Sequence, residues 1–257
     1  MALIKVFVQK ADDVNVIAKS FIPPLFEAVL GDYKRNIPKA REAEVLSLMA
    51  VLVNKLKGLA APHVARILEA VFECTLGMIT ADFTAFPDIR LNFFKLLQAI
   101  NQHCFGALFS IAPSHQKLVV QSIVWAFRHQ ERNICETGLD ILQQLLTNVD
   151  TAGGEGAQQF YQAYFVTLLQ DTLWVLTDRL HKFAFKQHVQ ILSHLFGLVE
   201  NNTITAPLYP QDVTGKTNKM FVGEHVCTLL LGYFNNLQPA QVTAFVTGLF
   251  SLSKDPV

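Results

Sequence analysis

Ile134, Gly138, Ile141, Leu142, Leu145 and Val149 stand at i, i+4, i+7, i+8, i+11 and i+15. Ile89, Phe93, Leu96, Leu97, Ile100 and Cys104 repeat the same offsets. Val45, Leu48, Met49, Leu52 and Leu56 obey the same face rule. So do Phe185, Val189, Leu192, Phe196 and Val199, and Val242, Phe245, Val246, Leu249 and Leu252. Each set draws one apolar stripe along a helix of period 3.6. A helix of this kind hides its stripe only against a neighbour. A succession of them predicts an all-α chain of stacked helix pairs, an α-solenoid with no sheet.

Breakers and caps divide the chain. Residues 2–9 read as the tail of a helix. Asp12 and Asp13 can cap a helix to about Asn36, kinked at Pro23-Pro24. Pro38 opens the next, to about Lys57, with Gly58 ending it. Further helices run from Pro62 to about Ile79, from Pro87 to about His103 (weakly on to Phe109), from Pro113 to near Arg128, and from Gln130 to about Asn148. Thr151–Gly154 reads as a loop. Helices follow over Gln158–Thr177, Lys182–Glu200, Asn218–Asn235 and Pro239–Ser253. The longest break, 201–217, is the expected mobile segment. The pairs make about five HEAT-like repeats, 13–57, 62–103, 114–148, 158–199 and 218–253, in one solenoid segment over 1–257.

Hydrophobic residues make up 51% and charged residues 16%, too apolar for disorder. Twenty-one acidic residues balance 21 basic ones, so no basic field draws nucleic acid. Cys74, Cys104, Cys135 and Cys227 lack C-x-x-C spacing and read as buried, reduced thiols. Lys5 and Lys10 interrupt any signal peptide. Val226–Ser253 carries no charge before Lys254, but its polar centre Asn235–Pro239 reads as a turn between two helices rather than a membrane span. The last apolar helix lacks a polar cap, so the chain reads as a piece of a longer protein.

Chemistry-bearing motifs fail on inspection. Pro210–Thr217 nearly spells the phosphate loop G-x-x-x-x-G-K-T, but its first position is Pro and no strand precedes it. Gly154-x-Gly156 lacks the third glycine of a dinucleotide fingerprint. His188 and His194 fall on different helix faces, and the other histidines are scattered, so no metal site, cofactor or enzymatic activity is expected. The aromatics recur at helical spacing, as core does. Opposite the stripes of the second helices stand polar residues: Arg41, Glu44 and Asn54; Asn92 and Gln98; Glu131, Asn133, Glu136 and Asp140. In a curved solenoid one helix layer lines the concave surface, and these positions are the expected protein-binding face.

Longer strings add a resemblance. Phe21–Leu25, Ala28-Val29-Leu30, Asp32–Asn36, Ala40-Arg41-Glu42, Val53–Leu56, Val71–Leu76, Asn92-Phe93-Phe94, Leu96–Ala99, His103-Cys104-Phe105, Trp125-Ala126-Phe127, Arg132-Asn133, Thr137-Gly138-Leu139, Phe160-Tyr161-Gln162 and Phe245–Leu252 occur in this order. Together they resemble the C-terminal HEAT repeats of the exportin-one family, nuclear export receptors of the importin-β-like karyopherins. The match is weakest at 150–159, 178–188 and 201–219. The resemblance implies a ring-shaped solenoid that binds Ran-GTP and a leucine-rich export signal together. It implies passage of the nuclear pore past nucleoporins, and shuttling between nucleus and cytoplasm. It places the cargo groove, and the cysteine that covalent inhibitors attack, upstream of this segment, so none of the four cysteines inherits that role. The final crossing helix and acidic tail of the family are also expected outside it. What the resemblance leaves here is ring closure and a supporting contact with Ran, without membrane insertion. The alternative is a HEAT-repeat scaffold of a phosphatase, kinase or coat complex, indifferent to Ran.

Overall fold

The computed structural model describes residues 1–81, 85–178, 183–210 and 215–254. It is 83% helical, and no strand occurs among the described residues. The α-helices are α1 (Ala2–Lys10), α2 (Val14–Val16), α3 (Ile22–Arg35), α4 (Ala43–Leu56), α5 (Val64–Ala81), α6 (Pro87–His103), α7 (Phe105–Phe109) and α8 (Pro113–Phe127). They continue with α9 (Arg132–Ala152), α10 (Gly154–Thr177), α11 (Phe185–Glu200), α12 (Asn218–Tyr233) and α13 (Pro239–Leu252).

Two compact units divide the chain. The first holds Met1–Trp125 with Asp140–Leu145, the second Ala126–Leu139 with Leu146–Val257. In the first, α4 lies against both α1 and α6, while α3 lies against α5. In the second, α10 packs on α12 and α11 on α13, and the consecutive helices α10 and α11, and α12 and α13, also pack together. Each unit therefore stacks like helix on like helix in two rows, the arrangement of an α-solenoid.

The predicted stripes of α4, α6 and α9 are buried throughout. On α4 the buried set widens to Leu46, Ala50 and Val53, because the helix has a neighbour on each flank. The two later stripes need correction. Phe185 is 64% and Phe245 55% exposed, and Val189 and Leu252 also face solvent. On α11 the buried face is His188, Ile191, Leu192, Leu195, Phe196, Leu198 and Val199, rotated from the predicted one. His188 lies in the core because its Nδ1 pairs with the Ala184 carbonyl at 2.9 Å and its ring meets Phe127 edge-on.

Asp13 caps as expected, accepting from the backbone N–H groups of Asn15 at 2.9 Å and Val16 at 3.2 Å. Pro23 and Pro24 cannot donate to the turn before them, and that turn, Ile17–Phe21, opens into a π-helical one. Gly58 does not end α4. Lys57 does, at φ 51° and ψ −127°, a region normally left to glycine. The loop expected at Thr151–Gly154 is absent as such. Helix α9 runs to Ala152 and α10 begins at Gly154, with Gly153 (φ 59°) and Gly154 (φ 63°) alone making the reversal.

The break after α11 is not loose over its described part. Ile204 and Leu208 are buried. Gln158 Oε1 accepts from the N–H groups of Thr205 (2.9 Å) and Ala206 (3.0 Å), and its Nε2 donates to the Thr203 carbonyl at 3.0 Å. Asn218 takes the Leu208 N–H at 2.9 Å and donates to the carbonyls of Ile204 and Ala206. Residues 211–214 of the phosphate-loop-like string, and Lys182 at the expected start of α11, lie outside the described residues.

The uncharged stretch from Val226 is broken after Tyr233, and α13 begins at Pro239. Val14–Arg35 and Ala43–Ala81 are long and apolar enough to cross a membrane by length and composition alone. The second is α4 and α5 joined by the turn Lys57–His63, and the apolar residues of both helices face helix neighbours.

Candidate partner-binding surface

In the first unit the predicted positions follow one row of helices. Glu44 and Asn54 lie on α4, Asn92 and Gln98 on α6, and these two helices pack on each other. Glu44 is exposed and pairs with Lys5 Nζ, which also donates to Ser47 Oγ at 3.2 Å. Asn54 Oδ1 meets His103 Nε2 at 3.1 Å, a link between α4 and α6. Burial and the nearby Lys57 hold the His103 imidazole below its ordinary pKa, so near neutral pH it meets Asn54 uncharged. Asn92 is half-buried and donates to the Asp88 carbonyl at 2.8 Å. Gln98 is half-buried and Asp140, on α9, is exposed.

Arg41 has a different task. Its Nε donates to the Tyr33 carbonyl at 3.0 Å, Nη1 to Cys74 at 3.3 Å and Nη2 to Lys34 at 3.5 Å. The guanidinium thus satisfies two carbonyls at the end of α3 and ties them to α5. Tyr33 completes the tie. Its hydroxyl bonds Thr75 Oγ1 at 2.9 Å, and burial pushes its pKa up to about 12.

In the second unit Glu131 and Asn133 are exposed at the start of α9. Asn133 Oδ1 accepts from the Ile134 N–H at 3.0 Å. Glu136 is half-exposed and pairs with Arg132 Nε at 2.8 Å, one helical turn back. These are surface contacts worth at most about 1 kcal/mol.

Among the described residues no three His, Cys, Asp or Glu side chains gather to hold a metal. All four cysteines are free; Cys104 and Cys135 are buried, whereas Cys74 and Cys227 are half-buried, against expectation. Burial, with Glu136 nearby, pushes the Cys135 thiol up to about 12, which keeps it protonated. Lys216 of the phosphate-loop-like string pairs with Glu224.

The sequence reading missed the polar staples. Asn101 is buried on α6 and donates to the Ile141 carbonyl at 3.0 Å. Asp150 accepts the Tyr161 hydroxyl and meets His194 Nε2 at 2.9 Å, joining α9, α10 and α11. Glu200 holds both Lys219 and Lys254. Each pairs residues far apart in the chain, and no local pattern announces them.

The stacked helices of each unit define an all-α, helical-repeat protein. A family model described as CRM1 C terminal matches residues 1–257. The chain is 47% identical over 259 residues to Protein EXPORTIN 1A of Arabidopsis thaliana, covering 100% of this chain and 24% of that protein. It is 44% identical over 262 residues to Exportin-1 of Schizosaccharomyces pombe (100% and 24%), and 45% identical over 254 residues to Exportin-1 of Drosophila melanogaster (98% and 23%). The chain belongs to the CRM1 C-terminal family. It spans about a quarter of the length of these relatives.

Proposed function

We propose that this chain is an arc of a nuclear export receptor, one that carries leucine-rich-signal cargo out of the nucleus in a Ran-GTP-dependent complex. The observation that carries the reading is the family match along the whole chain, each of whose two compact units stacks its helices in rows. The arc contributes ring closure and a supporting contact with Ran; cargo binds elsewhere in the receptor, which shuttles between nucleus and cytoplasm and touches nucleoporins on the way. Ran-GTP and cargo favour the same conformation, so each raises affinity for the other. Stacked repeats suit this coupling, because small shifts at each interface sum along the stack.

Glu44, Asn54, Asn92, Gln98, Glu131, Asn133, Glu136 and Asp140 are the partner-facing positions of this proposal. Arg41 supports them by fixing the end of α3. Binding of Ran-GTP and a leucine-rich peptide to the full-length receptor should be cooperative, measured by titrating one in the presence of the other. Independent binding, or equal affinity for Ran-GDP, would overturn the proposal in favour of a Ran-indifferent scaffold. Glu136→Lys should weaken Ran-GTP several-fold with the melting temperature unchanged; full affinity removes Glu136 from the contact.

A further inference from the structure

Of the most exposed large apolar side chains, Leu3 and Leu252 lie near the chain ends, and Phe185 lies beside the undescribed residues 179–182. Ile37, 69% exposed, lies inside the first unit on a corner with a fixed backbone. The Asn36 N–H bonds Asp32 O at 3.0 Å, the Ala40 N–H bonds Ile37 O at 2.9 Å, and the Arg41 N–H bonds Pro38 O at 3.2 Å. The triple clamp of Arg41 holds the far side. Three exposed cations, Lys34, Arg35 and Lys39, flank Ile37, and none has an ion pair among the described residues. The acids on either side of the corner are Asp32, engaged by Asn36 Nδ2 at 2.9 Å, and Glu42, and both are exposed.

We propose that the Lys34–Arg41 corner is a docking knob for an acidic protein segment carrying aliphatic residues. The segment's carboxylates pair with Lys34, Arg35 and Lys39, and an aliphatic side chain covers Ile37 and Pro38. Helix ends attract cations, and that alone places Lys34 and Arg35 in the last turn of α3. It gives no reason for an isoleucine held in water between the charges, and Lys39 stands apart from α3, in the 3₁₀ turn Pro38–Ala40. A phosphate backbone has nothing to cover Ile37, and a membrane calls for several apolar anchors, so a protein segment fits best. The rigid corner lowers the ordering cost of such a contact.

Fluorescence anisotropy of the full chain tests this, with a labelled peptide of mixed Asp and Glu around two leucines. Binding should weaken about tenfold or more in Lys34→Glu/Arg35→Glu/Lys39→Glu, and about threefold or more in Ile37→Ser. Both variants should keep wild-type circular dichroism; Ile37→Ser should keep the melting temperature, and the triple reversal should lower it slightly, because it sets two acids at the C-terminal end of α3. No binding, or binding that survives the triple reversal, overturns the proposal. Equal binding of a peptide with Leu replaced by Ser reduces the corner to plain ion exchange and overturns the apolar half. Tighter binding of single-stranded DNA or of phosphatidylserine vesicles assigns the corner to another class of partner.

Discussion

Helix α6 and helix α13 carry stripes of the same period, yet the fold treats them differently. Nine of the 17 residues of α6 are buried, including Arg90 and Asn101. On α13 only Val242, Val246 and Phe250 are buried among 14. The difference lies in the neighbours. Helices α4, α5 and α7 all lie against α6, whereas α11 and α12 lie against α13. Periodicity marks a residue as helical, and the number of adjoining helices sets how wide a face is hidden.

The largest test of this contrast compares two phenylalanines. Phe94 is fully buried, stacks on Trp125 at 5.9 Å between ring centroids, and meets Phe93 edge-on at 5.2 Å. Phe94→Ala should cost about 3–5 kcal/mol in urea unfolding. Phe245→Ala should stay within about 0.5 kcal/mol of wild type. Equal losses would mean that Phe245 has a cover in solution, and the contrast would fail.

Two glycines give the next. A Cβ on Gly138 of α9 would stand 2.7 Å from both Ala126 Cβ and the Phe127 backbone nitrogen, at the end of α8. Backbone cannot yield as a side chain does, so Gly138→Ala should cost about 1–3 kcal/mol. A Cβ on Gly248 of α13 meets nothing within 4 Å, and Gly248→Ala should gain up to about 1 kcal/mol from helix propensity. A neutral Gly138→Ala in thermal melts would show that α8 and α9 can part at little cost.

These particulars show what could be read beforehand. The stripes of α4, α6 and α9 were legible because both flanks of each period are apolar. On α11 the histidine misled. His188 scans as polar, which puts the stripe through Phe185 and Val189, whereas the pairing of its ring nitrogen with Ala184 makes it a core residue. The polar positions of the second helices were legible as a pattern. The clamp by Arg41 was not, since its acceptors come from α3 and α5, and only the folded chain brings them together. The same clamp turns the string Lys34–Lys39 from a run of charge into a rigid corner. Glycine was expected to end α4, and Lys57 sits in the strained conformation instead. Lys57→Gly should therefore stabilise the chain by about 1 kcal/mol. A loss would place the Lys57 side chain in a contact that outweighs the strain.

Beside the narrow apolar face of α13, charge contributes. Glu200 ends α11; its Oε2 meets Lys219 of α12 at 2.6 Å, and its Oε1 meets Lys254, just past α13, at 3.5 Å. The hydrogen bond from Lys219 holds the Glu200 carboxyl below its usual pKa, against the opposing effect of burial. A carboxyl whose folded pKa is depressed stabilises the fold above its unfolded pKa, and that contribution fades as pH falls through the folded one. Both lysines are more than half exposed, so the effect is small. Glu200→Gln should cost about 1 kcal/mol or less near neutral pH. The melting curves of variant and wild type should converge as pH drops below the carboxylate range. A gap that persisted in acid would assign the loss to packing, and α13 would then be held by its buried side chains alone.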